Sequence, residues 1–459
     1  MIHVHLIGIG GSGLSAIARL LLESGFSVSG SDRTLSDLAK QLAAAGATVF
    51  TGHAAENIRG ADLVVRSSAI PDSNPEVAAA LAAGIPVLKR ADFLGQLMQG
   101  RLGIAVAGTH GKTTTTAMLA WLLTACGEDP SYIIGGVSKN LENNAHAGRG
   151  QAFVIEADEY DRMFLGLSPQ IAVVTMMEHD HPDCFPTAQD YFDAFAAFVH
   201  RLQPGGLLLT SADDPHAPAL AAELPAGCRQ LSYGMSLSAD LRASALTRNA
   251  AGGFTFQVIE RTGEKVAEIA LGVPGEHNVR NALAAFAVAR ELSLDLAAAA
   301  SALARFSGTG RRFDLRGEAN GVILIDDYAH HPTEIRATLA AARSRYADRR
   351  IWAVWQPHTY SRTLALLPEF KNAFGDADQV IVTAIYAARE QDPGFSAGQV
   401  VAEMPHPAAR YIPALTDVRD TLLAELRPGD VVLVLSAGDA DQVSAQVLAA
   451  LRQKEESHA

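Results

Sequence analysis

Several absences narrow the possibilities before any motif is read. Cysteine is scarce: Cys126, Cys184 and Cys228 are the whole set in 459 residues. An odd, sparse set excludes a disulfide framework and suits reduced thiols in a cytoplasm. No apolar run approaches the ~18 residues that a membrane-spanning helix needs, so no membrane insertion is expected. The first residues pass straight into a strand-like H-V-H-L-I, with neither a basic stretch nor a cleavage signal before it. Basic charge is in deficit, with 37 Lys and Arg against 50 Asp and Glu for a net charge of −13. That argues against nucleic acid or an anionic membrane surface as partner, and any anion site must be built locally. Tandem repeats and low-complexity segments are also missing.

What is present is an ordinary globular composition, 48% hydrophobic and 19% charged, long enough for about three domains of ~150 residues. Strand-like and helix-like segments alternate from the start, which predicts parallel α/β architecture. The linker-like 99–103 and S-G-T-G at 307–310 set expected boundaries at 1–100, 101–307 and 308–459. Between about 230 and 272 the pattern changes: Phe254, Phe256 and Val258 alternate, a turn follows at 261–263, and 266–271 continues apolar. This predicts a small antiparallel addition to the second block.

The most informative stretch is G-T-H-G-K-T-T-T-T at 108–116, between the apolar 104–107 and the helix-like 117–123. Strand, glycine loop and helix make a phosphate cradle. Its glycines let backbone N–H groups approach phosphate oxygens, Lys112 can reach the β/γ oxygens, and Thr113 can ligate Mg²⁺. The full Walker pattern would have glycine at 106, where Val106 stands, so the loop is shortened. An earlier glycine loop, G-I-G-G-S-G at 8–13, has Asp32 about 20 residues on, as in dinucleotide folds. General diphosphate binding is the better reading of it, because hydride chemistry has no use for a second, triphosphate loop.

Other constellations stand at strand ends. Glu156, with Asp158 and Glu159, ends the strand 152–155, a place where Mg²⁺ is held beside a phosphate loop. E-H-D-H-P-D-C at 178–184 offers His179, His181 and Cys184, but no fourth ligand at zinc spacing, so a Mg²⁺ site or a polar loop facing phosphates is favoured. H-N-V-R-N at 277–281 opens a helix with polar groups on its first turn, which fits either a nucleotide contact or capping. G-R-R-F at 310–313, D-D-Y-A-H-H-P at 326–332 and Q-P-H-T-Y-S-R at 356–362 follow the boundary of the third block.

Taken together and in this order, these motifs resemble the Mur ligases of peptidoglycan synthesis across nearly the whole chain. The resemblance implies three domains: a Rossmann-like N-terminal domain for a UDP-sugar, a central P-loop ATPase with its antiparallel addition, and a Rossmann-like C-terminal domain for an amino acid. The C-terminal motifs are most similar to the branch that adds L-alanine to UDP-N-acetylmuramate with ATP and Mg²⁺. A tripeptide-adding ligase of cell-wall recycling is the nearest alternative. A nicotinamide dehydrogenase and a non-catalytic UDP-sugar sensor are rivals from other classes.

The resemblance also implies roles. ATP falls to Gly108, Thr109, His110, Gly111, Lys112, Thr113, Thr114, His277, Asn278, Asn281, Arg312 and Asp327. Metal falls to Thr113, Glu156 and His181, and catalysis to Lys112, Glu156, His181 and Arg312. The UDP-sugar falls to Gly10, Gly11, Ser12, Gly13, Asp32, His53, Ser67 and Ser68, and the amino acid to His330, His331 and Arg362. Met176 stands where the family often has Asn, and Thr359 where it sometimes has a second Arg.

Overall fold

The computed structural model describes residues 1–458, the side chains of Ser12 and His458 excepted. Its strands form three sheets in chain order, and three α/β domains are built on them. The first sheet is wholly parallel and contains His3–Ile7, Ser27–Asp32, Thr48–Thr51, Leu63–Arg66 and Val87–Lys89. Its spatial order is third, second, first, fourth, fifth. The winding reverses beside His3–Ile7, so a crevice opens between the loops that follow the first and fourth strands, where such sheets take ligands.

In the second sheet Leu102–Ala107 lies between Ile171–Val174 and Ala152–Glu156, parallel to both. The phosphate loop therefore leaves a central strand, and the acidic segments leave its two neighbours. Leu241–Arg248, Phe254–Glu260 and Lys265–Leu271 extend this sheet as an antiparallel ribbon. The alternation read from the sequence is satisfied there: Phe256 and Val258 are fully buried, in one apolar cluster with the alanine-rich helices Glu276–Glu291 and Leu296–Ala304.

The third sheet runs Val322–Asp327, Val431–Ser436, Ile351–Gln356, Gln379–Val382 and Ala409–Tyr411 in parallel. An antiparallel edge strand, Asp314–Ala319, adds to it. That edge strand carries the weak, charged D-L-R-G-E-A pattern and has no counterpart in the sequence reading.

The cores are not divided as the sheets are. One apolar cluster joins Val4, Leu6 and Phe93 of the first sheet region to Phe164, Phe195 and Phe198 of the second. Gly95 and Gly166 meet at the seam, and a Cβ on Gly95 would strike the Gly166 carbonyl. Phe164 stacks on Phe198 at 4.8 Å. The C-terminal domain has cores of its own, one on each sheet face, around the fully buried Trp355 and Trp352.

Candidate active site

The phosphate loop turns out of Leu102–Ala107 through Gly108 (φ 130°) and Gly111 (φ 81°), conformations that favour glycine. A Cβ on Gly108 would strike Thr175 Oγ1, and one on Gly111 would lie 2.6 Å from Asn281 Oδ1. The helix Lys112–Ala125 has no side-chain N-cap, so its first N–H groups face the loop. Lys112 Nζ folds back to donate to the Gly108 carbonyl (2.6 Å) and to Glu159 Oε1 (3.0 Å). Burial by itself would lower the Lys112 pKa, but the carboxylates of Glu159, Asp158 and Glu156 outweigh it and hold the ammonium charged.

Thr113 Oγ1 donates to Glu156 Oε1 at 2.9 Å, and Gly135 N–H donates to Oε2 at 2.7 Å. Burial raises the Glu156 pKa. A hydroxyl and a half-buried carboxylate in contact beside a phosphate loop form an oxygen donor set suited to Mg²⁺. His181 Nε2 lies 3.6 Å from Glu159 Oε1, and His181 lines the same cavity as Thr113 and Glu156. The residues present fit a divalent cation on that ground.

The C-terminal domain meets this loop through charged and polar side chains. Arg362 donates from Nε to Asp180 Oδ1 (2.8 Å) and from Nη2 to Oδ2 (3.3 Å), with both side chains at most 5% exposed. His110 lies between two carboxylates, Nε2 2.9 Å from Glu178 and Nδ1 3.2 Å from Glu334. Burial opposes its charge, yet those two partners push its pKa up to about 9. Thr333 also donates to Glu178 (2.9 Å). His110, Glu178 and His331 hold ligand atoms within 4.8 Å of one another, but Glu178 is already engaged by His110 and Thr333.

Two cavities share this junction. One of about 250 Å³ is lined by His110, Gly111, Thr113, Thr114, His277, Asn278, Asn281, Arg312 and Asp327, among others. Burial, with Arg280 and Arg312 nearby, pushes His277 down to about 4, and burial pushes Asp327 up to about 6. The other, about 610 Å³, collects residues from all three domains: Gly13 and Arg90, then Thr109, Lys112, Glu156 and His181, then Arg312, His330 and Arg362. Burial pushes His330 down to about 3, so its ring is neutral and its Nδ1 donates to the Tyr328 carbonyl (2.8 Å).

Several expected residues fall elsewhere. His331 is 1% exposed and lines neither cavity. Its Nδ1 accepts from Thr333 N–H and caps the helix Pro332–Arg345, while its buried Nε2 has no hydrogen-bond partner among the described residues. Asp32 accepts from Gly10 N–H (2.9 Å) and Arg33 N–H (2.7 Å), which ties it to the first glycine loop. Gly10, Gly11, Asp32, His53, Ser67 and Ser68 all stand at the carboxyl edge of the first sheet, outside both cavities, and only Gly13 of that group reaches the larger one. The Ser12 side chain lies outside the described residues. Met176 lines the smaller cavity. Thr359 (φ 65°) opens the short helix that carries Arg362.

The sequence reading missed Arg90. It follows the strand Val87–Lys89, lies so close to Gly13 that a Cβ there would overlap its Nη1, and stands 3.5 Å from Asp158. A single arginine after a short strand carries no spacing signal of its own.

Comparison with known proteins finds relatives that match this chain over nearly its full length. Profiles described as "Mur ligase family, catalytic domain", "Mur ligase middle domain" and "Mur ligase, glutamate ligase domain" match residues 3–102, 106–289 and 311–438. The chain belongs to the Mur ligase family. A UDP-N-acetylmuramate–L-alanine ligase of Geobacter sp. (strain M21) is 44% identical, over 99% of this chain and 98% of the relative. That of Salinibacter ruber is 44% identical, over 95% and 92%. Among solved Mur ligase structures, the UDP-N-acetylmuramate–alanine ligase of Thermotoga maritima superposes with a TM-score of 0.82 at 28% identity, covering 99% of this chain and 100% of that one. A murein peptide ligase from Psychrobacter arcticus gives 0.74 at 27%, over 98% and 99%. Both the expected three-domain fold and the expected ligase family are thereby met. Among the described residues no helix is long and apolar enough to cross a membrane.

Proposed function

We propose that the chain joins L-alanine to the lactyl carboxylate of UDP-N-acetylmuramate, at the expense of ATP and through an acyl phosphate. The convergence of groups from three domains on the 610 Å³ cavity carries this reading. The curated relatives bearing that activity in their names favour alanine over the tripeptide.

In this reading 1–100 binds the UDP-sugar, 101–307 binds ATP, and 308–459 binds alanine. The carboxylate oxygen attacks the γ-phosphorus and ADP leaves; the alanine amine then attacks the acyl carbon, and phosphate and a proton leave. Two anions must meet in the first step, so cationic groups are required. Lys112 and Arg312 supply fixed charge at the phosphates, and the loop N–H groups from Gly108 to Thr114 cradle them. Thr113, Glu156 and His181 would hold Mg²⁺, which when bound neutralises charge on the phosphate oxygens.

His277, Asn278, Asn281 and Asp327 line the nucleoside end. Gly10, Gly11, Ser12, Gly13, Asp32, His53, Ser67 and Ser68 hold the UDP-sugar, and Arg90 bridges from that site towards the chamber. Arg362 attracts the alanine carboxylate. His330 is too weak a base to take the amine proton, so it orients the amine through its free Nε2. Packing of the C-terminal domain over the chamber shields the acyl phosphate from water. ATP and the sugar nucleotide are cytoplasmic metabolites, and the reading includes that location.

Phosphate release from ATP and Mg²⁺ with UDP-N-acetylmuramate tests the reading, with L-alanine compared against L-Ala-γ-D-Glu-meso-diaminopimelate. Release with alanine, and a product heavier by one alanyl residue, is expected. Release only with the tripeptide would move the chain to the recycling activity.

A further inference from the structure

Glu76 is a buried charge that the chemistry above leaves without a task. It is the second residue of the helix Pro75–Ala82, is fully buried, and lines neither cavity. An isolated buried carboxylate is costly, so its partners show what it does. Ser31 Oγ–H donates to Oε2 (2.6 Å) and Asn57 Nδ2 to Oε1 (2.6 Å). His53 Nδ1 lies 3.0 Å from Oε2, and His5 Nε2 lies 3.7 Å from Oε1. Burial works against the charge, but the contacts from His5, Ser31 and Asn57 hold the pKa down at about 2.

An ionised carboxylate can only accept hydrogen bonds. Ser31 has one hydroxyl proton, and Glu76 takes it. Ser31 Oγ, 3.0 Å from His53 Nδ1, can therefore only accept from that nitrogen. Both groups facing Nδ1 are acceptors, so they favour the tautomer with its proton on Nδ1 and its lone pair at Nε2. His53 follows the strand Thr48–Thr51 at the carboxyl edge of the first sheet, its side chain 15% exposed, with no partner at Nε2 among the described residues.

We propose that Glu76 is a positioning residue that locks His53 in the tautomer whose Nε2 accepts a hydrogen bond, so that this edge selects a pyrimidine with a ring N–H donor, uracil over cytosine. Cytosine offers a lone pair at the same ring position and would meet lone pair with lone pair. The inference rests on the proposed binding of the UDP-sugar by this domain.

Calorimetric titration of the full chain with UDP, CDP and N3-methyl-UDP tests it. Wild type should bind UDP at least about tenfold more tightly than the other two, the worth of one well-placed hydrogen bond. In Glu76→Gln the amide oxygen pairs with Asn57 and its NH₂ turns towards Nδ1, which favours the opposite tautomer. UDP affinity should fall about tenfold and the preference over CDP should collapse, with kcat at saturating sugar nucleotide within about twofold of wild type. A merely structural role would not move the UDP to CDP ratio. Equal binding of N3-methyl-UDP and UDP by wild type overturns the proposal and needs no variant to fold. Unchanged UDP binding in a folded Glu76→Gln also overturns it, provided that His53→Ala weakens UDP. If His53→Ala leaves UDP binding intact, the assignment of the sugar nucleotide to this edge fails as well.

Discussion

Replacing Asp180 with alanine would leave the guanidinium of Arg362 unpaired and nearly buried at the wall of the larger cavity. The two side chains form two hydrogen bonds, 2.8 and 3.3 Å long, and are 4% and 5% exposed. Burial disfavours both charges, yet each holds the other ionised, with Asp180 well below the usual carboxylate range and Arg362 raised. Removing one partner of such a pair costs about 3–5 kcal/mol, because the survivor stays buried and unpaired. The pair links residues of different domains, and the C-terminal domain has its own cores. The loss therefore falls on the packed arrangement of the domains and spares their folding, since Arg362 regains water when the domains part. At about 3 kcal/mol the ratio of packed to open arrangement falls roughly a hundredfold. The expected result is a loss of that size in kcat/KM for alanine, with the melting temperature shifted by only a few degrees; Asp180→Asn should lie between. Activity of Asp180→Ala within about threefold of wild type would refute the reasoning. So would a large fall in melting temperature with kcat/KM unchanged.

Lys112→Ala should abolish phosphate release while UDP-sugar binding, measured by calorimetry, stays near wild type, because Lys112 serves the phosphate loop and the sugar nucleotide binds another sheet. For His110 the sign follows from a raised pKa: its charge favours the packed arrangement fully below about 6.5, and the contribution is lost as pH rises through about 9. The KM for alanine should accordingly climb above pH 9 in wild type and show a flatter profile in His110→Asn. Arg90→Ala should raise the KM for the UDP-sugar about tenfold or more, the worth of a charge-assisted contact, and leave the KM for alanine nearly unchanged; equal effects on both would count against its role as a bridge.

What could be read from the sequence was local. The strand–glycine–lysine–helix at 102–125, the alternation at Phe254, Phe256 and Val258, and the acids ending buried strands all depend on neighbours a few residues away. Four of the third sheet's five parallel strands were legible as apolar runs, while the short Ala409–Tyr411 and the charged edge strand Asp314–Ala319 gave no periodic signal. What brings the site together lies far apart in the chain: Arg362 and Asp180 are 182 positions apart, His110 and Glu334 are 224. No spacing rule connects such residues. A histidine before a helix-opening proline, such as His331, looks the same in sequence whether it caps or binds, and only the structure shows its Nδ1 on the helix start. Glu76 carries no signal in the sequence, and only the packing of His5, Ser31 and His53 around it marks it out.

The apolar cluster running unbroken from Val4 to Phe198 across the first two sheets also decides how the molecule comes apart. Chain segments that share one core lose it together, whereas segments joined by ion pairs and hydrogen bonds can separate first. Heating should therefore resolve two cooperative units in calorimetry, 1–307 and 308–459, instead of three. The N-terminal hundred residues, expressed alone, would expose Phe93 and Leu94, both at most 5% exposed in the intact chain, and should aggregate.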